Sequence, residues 1–218
     1  AWLGTQGPNY VVDAACATSF AAIDCGIREL LSKSTDLVIA GGVNSSLSPE
    51  SFIGFCKMGA LSAEGSFPFD ERAGGFVLGE GAGVVVIKRM KDALRDGDKI
   101  HAVLKGIGSS SDGKGKAIAA PNPEGQEIAL RRCYESICQG VEISDIGYIE
   151  AHGTSTLMGD YAELETLKKF FSDNLSGIGL SSVKSQIGHL LGGAGLAGII
   201  KSVLAIKHKI LPSNGLYQ

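Results

Sequence analysis

The hydrophobic residues of this chain change period again and again, and that change restricts the folds open to it more than any other feature. Runs dense in aliphatic residues, "NYVVDAA", "DLVIAGGV", "GVVVIKRM", "IHAVLKGIGS", "IGYIEAHG" and "GLSSVKS", read as strands. Between them, apolar positions recur at helical spacing. After Cys16, the residues Phe20, Ile23, Ile27, Leu30 and Leu31 share a face, with Lys33 near the end. Asn122-Pro123 supplies an N-cap and a first-turn proline for a helix through Cys138. "DYAELETLKKFF" reads as a helix opened by Asp160, with Glu163 in capping-box register. A last helix carries Leu196, Ile199, Ile200, Val203 and Leu204 on one face, and "LPSNG" stops it. This alternation predicts an α/β fold with a mainly parallel or mixed sheet covered by helices.

A chain of 218 residues that is 44% hydrophobic and 20% charged can bury a sizeable core. The net charge of −3 and the lack of a basic run speak against a nucleic-acid partner. No apolar stretch is long enough to span a bilayer, so no membrane partner is expected. Cys16, Cys25, Cys56, Cys133 and Cys138 follow no disulfide or zinc spacing, which fits reduced thiols in a cytoplasmic protein and no bound metal. Asn44-Ser45-Ser46 and Asn174-Leu175-Ser176 are glycosylation sequons by formula only. "GSSSDGK" begins like a phosphate loop, but Gly115 stands where a magnesium-binding hydroxyl is needed. Gly79, Gly81 and Gly83 of "GEGAG" precede a β-branched run rather than a helix, so they read as close backbone packing.

Cys16 stands where a strand hands over to a helix, among small side chains that leave room for a substrate. The free N–H groups and positive end of a helix starting there would stabilise a thiolate and could hold an oxyanion. The plainer reading is a small buried side chain, since cysteine is among the most buried residue types. The four histidines add weight. His101 lies in a strand-like run and His208 near a helix end, and both read as structural. His152 and His189 each close a strand-like run and are followed by small residues. Ligands in open α/β sheets bind beyond the carboxyl ends of strands, where Cys16, His152 and His189 would all sit.

The blocks "DAACATS", "FDERAGGFVLGEGAG", "EAHGTSTLMGD" and "VKSQIGHLLGGAG" resemble, in order, the signature blocks of β-ketoacyl synthases, the condensing enzymes of fatty acid and polyketide synthesis. The resemblance implies a thiolase-like fold, layered α/β/α/β/α, as a homodimer. It implies that Cys16 accepts the acyl group, and that His152 and His189 form the histidine pair of the decarboxylating class. Lys184 would be the lysine beside them and Glu163 its acidic partner, a residue that the capping box also accounts for. Thr154 and Thr156 would contact the phosphopantetheine arm of an acyl carrier protein, although local turn hydrogen bonds explain those hydroxyls equally well. No cofactor would be bound by the chain itself.

The implied reaction is acyl transfer to Cys16, then decarboxylative condensation with a malonyl-type thioester. A histidine in "GH" after the lysine speaks against the Cys-His-Asn branch, and a thiolase would use a second late cysteine that is not seen. A non-catalytic chain-length-factor-like partner would usually lack the nucleophile. "SSDGKGKAIAAPNPEGQ" is more like a multifunctional polyketide or polyunsaturated-fatty-acid synthase than a stand-alone elongating enzyme. Against the family pattern, residues 1–95 and 96–218 correspond to the end of an N-terminal half and the start of a C-terminal half. The chain therefore reads as a partial domain, incomplete at both ends and inactive by itself.

Overall fold

The computed structural model describes residues 2–114, 120–136 and 140–214, so Gly115 and Cys138 lie outside the described residues. Strands β1 (Val38–Asn44) and β2 (Gly81–Ile87) form an antiparallel pair, with Val38 opposite Ile87 and Asn44 opposite Gly81. Strands β3 (Tyr148–Glu150) and β4 (Gly179–Ser181) form a short parallel pair. The expected mainly parallel or mixed sheet is therefore two separate two-stranded sheets among the described residues. "NYVVDAA" and "IHAVLKGIGS" are not strands, and Val11, Val103 and Leu104 are exposed. A strand exists only where a neighbour takes up its backbone N–H and C=O groups. Among the described residues neither run pairs with a strand. His101 accordingly sits on exposed, irregular chain rather than inside a strand.

The helices follow their periodicity more closely. Helix α1 (Thr18–Leu31) buries Ile23 and Leu30, while Phe20 and Leu31 at the margins of its face remain exposed. Two short helices were not expected: α2 (Pro49–Lys57), capped by Ser48, and α3 (Met90–Asp96), closed by left-handed Gly97. Helix α4 (Pro123–Ser136) starts as predicted, with Asn122 Oδ1 accepting the Glu124 N–H at 3.1 Å. Helix α5 (Leu157–Phe171) departs from expectation at its start. Thr156, not Asp160, is its N-cap residue, and no side-chain capping bond forms there. Asp160 lies inside the first turn and reaches two distant N–H groups described below. After the one-turn helix α6 (Lys184–Ile187), helix α7 (Ala194–His208) ends at left-handed Lys209, ahead of "LPSNG". Among the described residues no helix is long and apolar enough to cross a membrane.

Helices α1 and α7 pack on the β1–β2 ribbon, and Ile23, Ala40 and Leu196 form the core between them. Ile27, Val38, Val85, Ile107 and Ile199 extend it. The close approach depends on small residues. A Cβ on Gly42 would stand 2.4 Å from Ser19 Oγ and 2.7 Å from the Gly192 carbonyl oxygen. Gly79 is equally tight, its imagined Cβ 2.3 Å from the Ile187 carbonyl oxygen, so the "GEGAG" glycines are packing glycines. Asn44 of the first sequon is buried and donates to the Gly79 carbonyl at 2.7 Å, out of reach of glycosylation. Gly42→Ala is expected to cost about 1–3 kcal/mol through overpacking. A denaturant midpoint for the full-length protein that does not move would contradict this.

Candidate active site

Cys16 lies in the tight turn Ala15–Ala17 that leads into α1, not within the α-helix proper. Local side chains build that turn. Asp13 Oδ1 accepts the Ala15 N–H at 2.8 Å, Thr18 Oγ1 accepts the Ala14 N–H at 2.9 Å, and the same hydroxyl donates to the Ala15 carbonyl at 2.7 Å. They hold Ala15 at φ 49°, a left-handed conformation that costs a non-glycine residue of order 1–3 kcal/mol. Asp13 and Thr18 were missed by sequence reasoning, and their signal was the D-x-x-C-x-T spacing. The half-buried thiol has its pKa raised. Burial is the main cause, and the Lys184 charge and a backbone N–H offset it only in part. In place of the thiolate expected at a helix start, burial raises this thiol's pKa more than the Lys184 charge and the backbone N–H lower it.

His189 sits beyond α6 and is almost fully buried, at 1% exposure. Its backbone N–H donates to the Val77 carbonyl at 2.7 Å, and its ring meets Phe76 edge-on at 5.0 Å between centroids. Nδ1 accepts the Leu191 N–H at 3.1 Å, which assigns the ring proton to Nε2. Burial, then the Lys184 ammonium and His152, push its pKa down to about 3. The turn Leu191–Gly193 that follows packs beside the Cys16 turn, and Ser19 Oγ donates to the Gly192 carbonyl. Cys16, Leu191 and Gly192 line one open groove together with Val43 and Phe55.

His152 follows β3, and its ring stands edge-to-face on His189 at 5.5 Å between centroids. Lys184, itself buried at 4% exposure, places Nζ 2.5 Å from the His152 carbonyl oxygen and 3.5 Å from its Nδ1. An ammonium can only donate, so the His152 proton also belongs on Nε2. His152 keeps a solvent-facing side. Even so, crowding by protein atoms and then the Lys184 charge hold its pKa well below the ordinary value. Both rings are therefore neutral near pH 7.

Glu163 does not pair directly with Lys184, and it does not complete a capping box. Its carboxylate accepts the N–H groups of His152 at 2.7 Å and Gly153 at 2.8 Å, fixing the chain at the first histidine. Its charge still favours the cationic form of Lys184, whose pKa burial lowers. Burial in turn raises the pKa of Glu163. The Thr154 and Thr156 hydroxyls lie 3.0 Å apart and bond to each other. Asp160, expected only to open helix α5, accepts the N–H of Phe69 at 2.7 Å and of Ser155 at 3.0 Å. Ser155 Oγ accepts the Phe67 N–H at 2.9 Å. The four sequence blocks thus meet: the Gly75 N–H donates to the Ser155 carbonyl at 2.7 Å, the His189 N–H donates to the Val77 carbonyl, and the turn after His189 packs beside the Cys16 turn. Among the described residues, no three His, Cys, Asp or Glu side chains converge as a metal site.

Unfolding exposes His189 to protonation below about pH 6.5, whereas the folded ring resists it down to about 3. Between those values the unfolded chain binds the extra proton, so this group's contribution is full above about pH 6.5 and is lost as pH falls through the window. His189→Asn, whose side-chain oxygen can still accept the Leu191 N–H, is expected to flatten the fall of melting temperature between about pH 6.5 and 4. An unaltered slope would show that the acid sensitivity arises elsewhere.

Residues 1–93 match the family description "Beta-ketoacyl synthase, N-terminal domain", and residues 101–217 match "Beta-ketoacyl synthase, C-terminal domain". One of the phenolphthiocerol/phthiocerol polyketide synthase proteins of Mycobacterium tuberculosis is 44% identical over 217 residues, 98% of this chain and 12% of that protein. A component of the polyunsaturated fatty acid synthase of a Thraustochytrium species is 43% identical over 213 residues, 95% of this chain and 8% of that protein. Among solved structures, a ketosynthase from module 6 of the Bacillus subtilis bacillaene synthase superposes with a TM-score of 0.86 at 37% identity. That superposition covers 95% of this chain and 39% of that one. A structure described as PfaC keto synthase–chain length factor superposes with a TM-score of 0.90 at 37% identity, covering 97% of this chain and 23% of that one. The chain thus spans less than half the length of each of these relatives.

Proposed function

Since the chain belongs to the β-ketoacyl synthase family and has its thiolase-like α/β fold, we propose that it carries the condensing site of a polyketide or polyunsaturated-fatty-acid type synthase. The observation that carries this reading is the pair of neutral imidazoles, 5.5 Å apart edge-to-face, with Lys184 against one and the Cys16 turn beside the other. Cys16 Sγ, once deprotonated, attacks the thioester carbonyl of a carrier-bound acyl group. The carbon–sulfur bond to the carrier arm breaks, the arm's thiol leaves with the proton, and an acyl-Cys16 thioester remains. A malonyl-type thioester then loses carbon dioxide. The electron pair of the broken carbon–carbon bond moves onto the thioester oxygen as an enolate, which the Nε2–H groups of His152 and His189 stabilise as neutral donors. The enolate carbon attacks the acyl-Cys16 carbonyl, the new carbon–carbon bond forms, and the Cys16 sulfur departs.

Lys184 holds His152 in the tautomer that donates from Nε2, and Glu163 positions the His152 backbone while supporting the Lys184 charge. Thr154 and Thr156 are assigned to the phosphopantetheine arm of an acyl carrier protein, whose thioester is substrate and not a resident cofactor. A homodimer is the assembly this reading implies. The boundary between the two family descriptions, residues 93 to 101, supports a division of the chain into halves near residue 95. A non-condensing, chain-length-factor-like role is disfavoured by the presence of Cys16. The test separates the half-reactions in the full-length protein. Radiolabelled acyl transfer reports on Cys16, and carbon dioxide release from a malonyl thioester reports on the histidines.

A further inference from the structure

Strand β3 carries a buried carboxylate that the proposed chemistry does not consume. Glu150 stands two residues before His152, and its side chain and that of Lys201 are each 9% exposed. Lys201 reaches from α7 to place Nζ 2.9 Å from Glu150 Oε2 and 2.7 Å from Ser181 Oγ. The Tyr148 hydroxyl donates to the same Oε2, and Ser181 Oγ lies 3.4 Å from it. The other oxygen, Oε1, accepts the Val183 N–H at 2.5 Å. Val183 immediately precedes Lys184. One carboxylate therefore ties together the strand leading to His152, the turn presenting Lys184, and helix α7.

A buried ion pair is an expensive way to gain stability, because apolar side chains of similar volume often serve as well or better. A pair whose hydrogen bonds are this fully satisfied does, however, specify one relative placement of the elements it joins. We propose that Glu150, neutralised by Lys201, is a positioning residue that sets the Lys184 ammonium against His152 for decarboxylation. The proposal rests on the roles given above to His152 and Lys184. The Oε1 contact is the one that fixes the residue directly before Lys184 to β3, while Ser181 and Ser182 anchor the chain ahead of it. The charge acts as well. Lys184 faces Glu163 and Asp160 on α5, Glu150 on β3, Cys16 before α1, and the rings of His152 and His189. Burial works against its cationic form, and Glu150 is the second largest of the charges that support it, after Glu163.

The informative variant is Glu150→Gln in the full-length protein, which keeps an oxygen for the Val183 N–H but removes the charge. Carbon dioxide release from a malonyl thioester should fall about tenfold or more, mainly in kcat. The alkaline limb of its pH profile should move to lower pH, because Lys184 then loses its proton more readily. Acyl loading of Cys16 should stay within about threefold of the wild type. A folded Glu150→Gln protein with an unchanged rate and an unchanged alkaline limb overturns the proposal. Should that variant fail to fold because Lys201 is left unpaired, Glu150→Gln combined with Lys201→Met removes the charges together. Recovered thermal stability with a still-depressed rate supports positioning, whereas rate recovering in step with stability makes the pair merely structural and overturns it. His152→Ala in the same assay separates the two levels. If His152→Ala is slow and Glu150→Gln is normal, only this proposal falls; if His152→Ala is normal, the underlying assignment falls and takes this proposal with it.

Discussion

Cys16→Ala in the full-length protein is expected to abolish covalent acyl loading, by on the order of 10⁴-fold or more, while carbon dioxide release from malonyl thioester persists. The size follows from what is lost. No other described thiol stands in the groove that Cys16 shares with Leu191 and Gly192, so no second nucleophile can substitute. Decarboxylation should survive because its electron pair goes to an oxygen held by imidazole N–H groups, and neither ring depends on the Cys16 sulfur for its tautomer. The mutation is also gentle structurally. The turn is held by Asp13 and Thr18, and alanine already occupies both neighbouring positions. Radiolabelled acyl groups that remain covalently attached to the variant would remove Cys16 from its role. The raised pKa of the thiol adds a pH signature. Acyl loading should accelerate with rising pH beyond the range of an ordinary activated cysteine, since burial holds the proton on.

The second large effect concerns the imidazoles. His152→Ala or His189→Ala should each slow carbon dioxide release by about 10²–10³-fold, the usual cost of removing one preorganised donor from an oxyanion. Their neutrality sharpens the expectation. A cationic histidine would titrate near pH 6.5 and imprint that value on the rate. These rings are pushed far below it by burial and by Lys184, so the decarboxylation rate should be flat across pH 6 to 7. The two variants should differ in a second respect. His189 is fully buried against Phe76 and its truncation leaves a cavity, whereas His152 keeps a solvent-facing side. His189→Ala should therefore lower the melting temperature more than His152→Ala. Unchanged carbon dioxide release in both variants would exclude the pair from the reaction.

Local periodicity made α1, α5, α7, β1 and β2 legible, because each depends mainly on which of its own residues are apolar. It failed for "NYVVDAA" and "IHAVLKGIGS", since β-propensity forms a strand only when another strand completes its hydrogen bonds. The start of α5 shows a different failure. Asp160 and Glu163 fit a capping pattern, yet a carboxylate goes to the best N–H donors within reach. Here those belong to Phe69, 91 residues earlier, and to the chain at His152. The helix start after Cys16 was legible but the strand expected before it is absent, and the raised pKa of the thiol was not legible, because desolvation depends on atoms that fold over it from elsewhere.

By itself the sequence determined the main helices and the strands β1 and β2, the order of the four family blocks, and which residues are candidates for acyl-transfer chemistry. These are properties of side-chain type and short-range spacing. Only the tertiary structure decided that His152 and His189 stand edge-to-face, that Lys184 is held beneath one of them, and that Glu163 and Glu150 serve the backbone around that lysine. Those facts turn on burial and on hydrogen bonds between residues tens of positions apart. Electrostatics in a desolvated site depends on distance in space, which spacing along a chain does not encode.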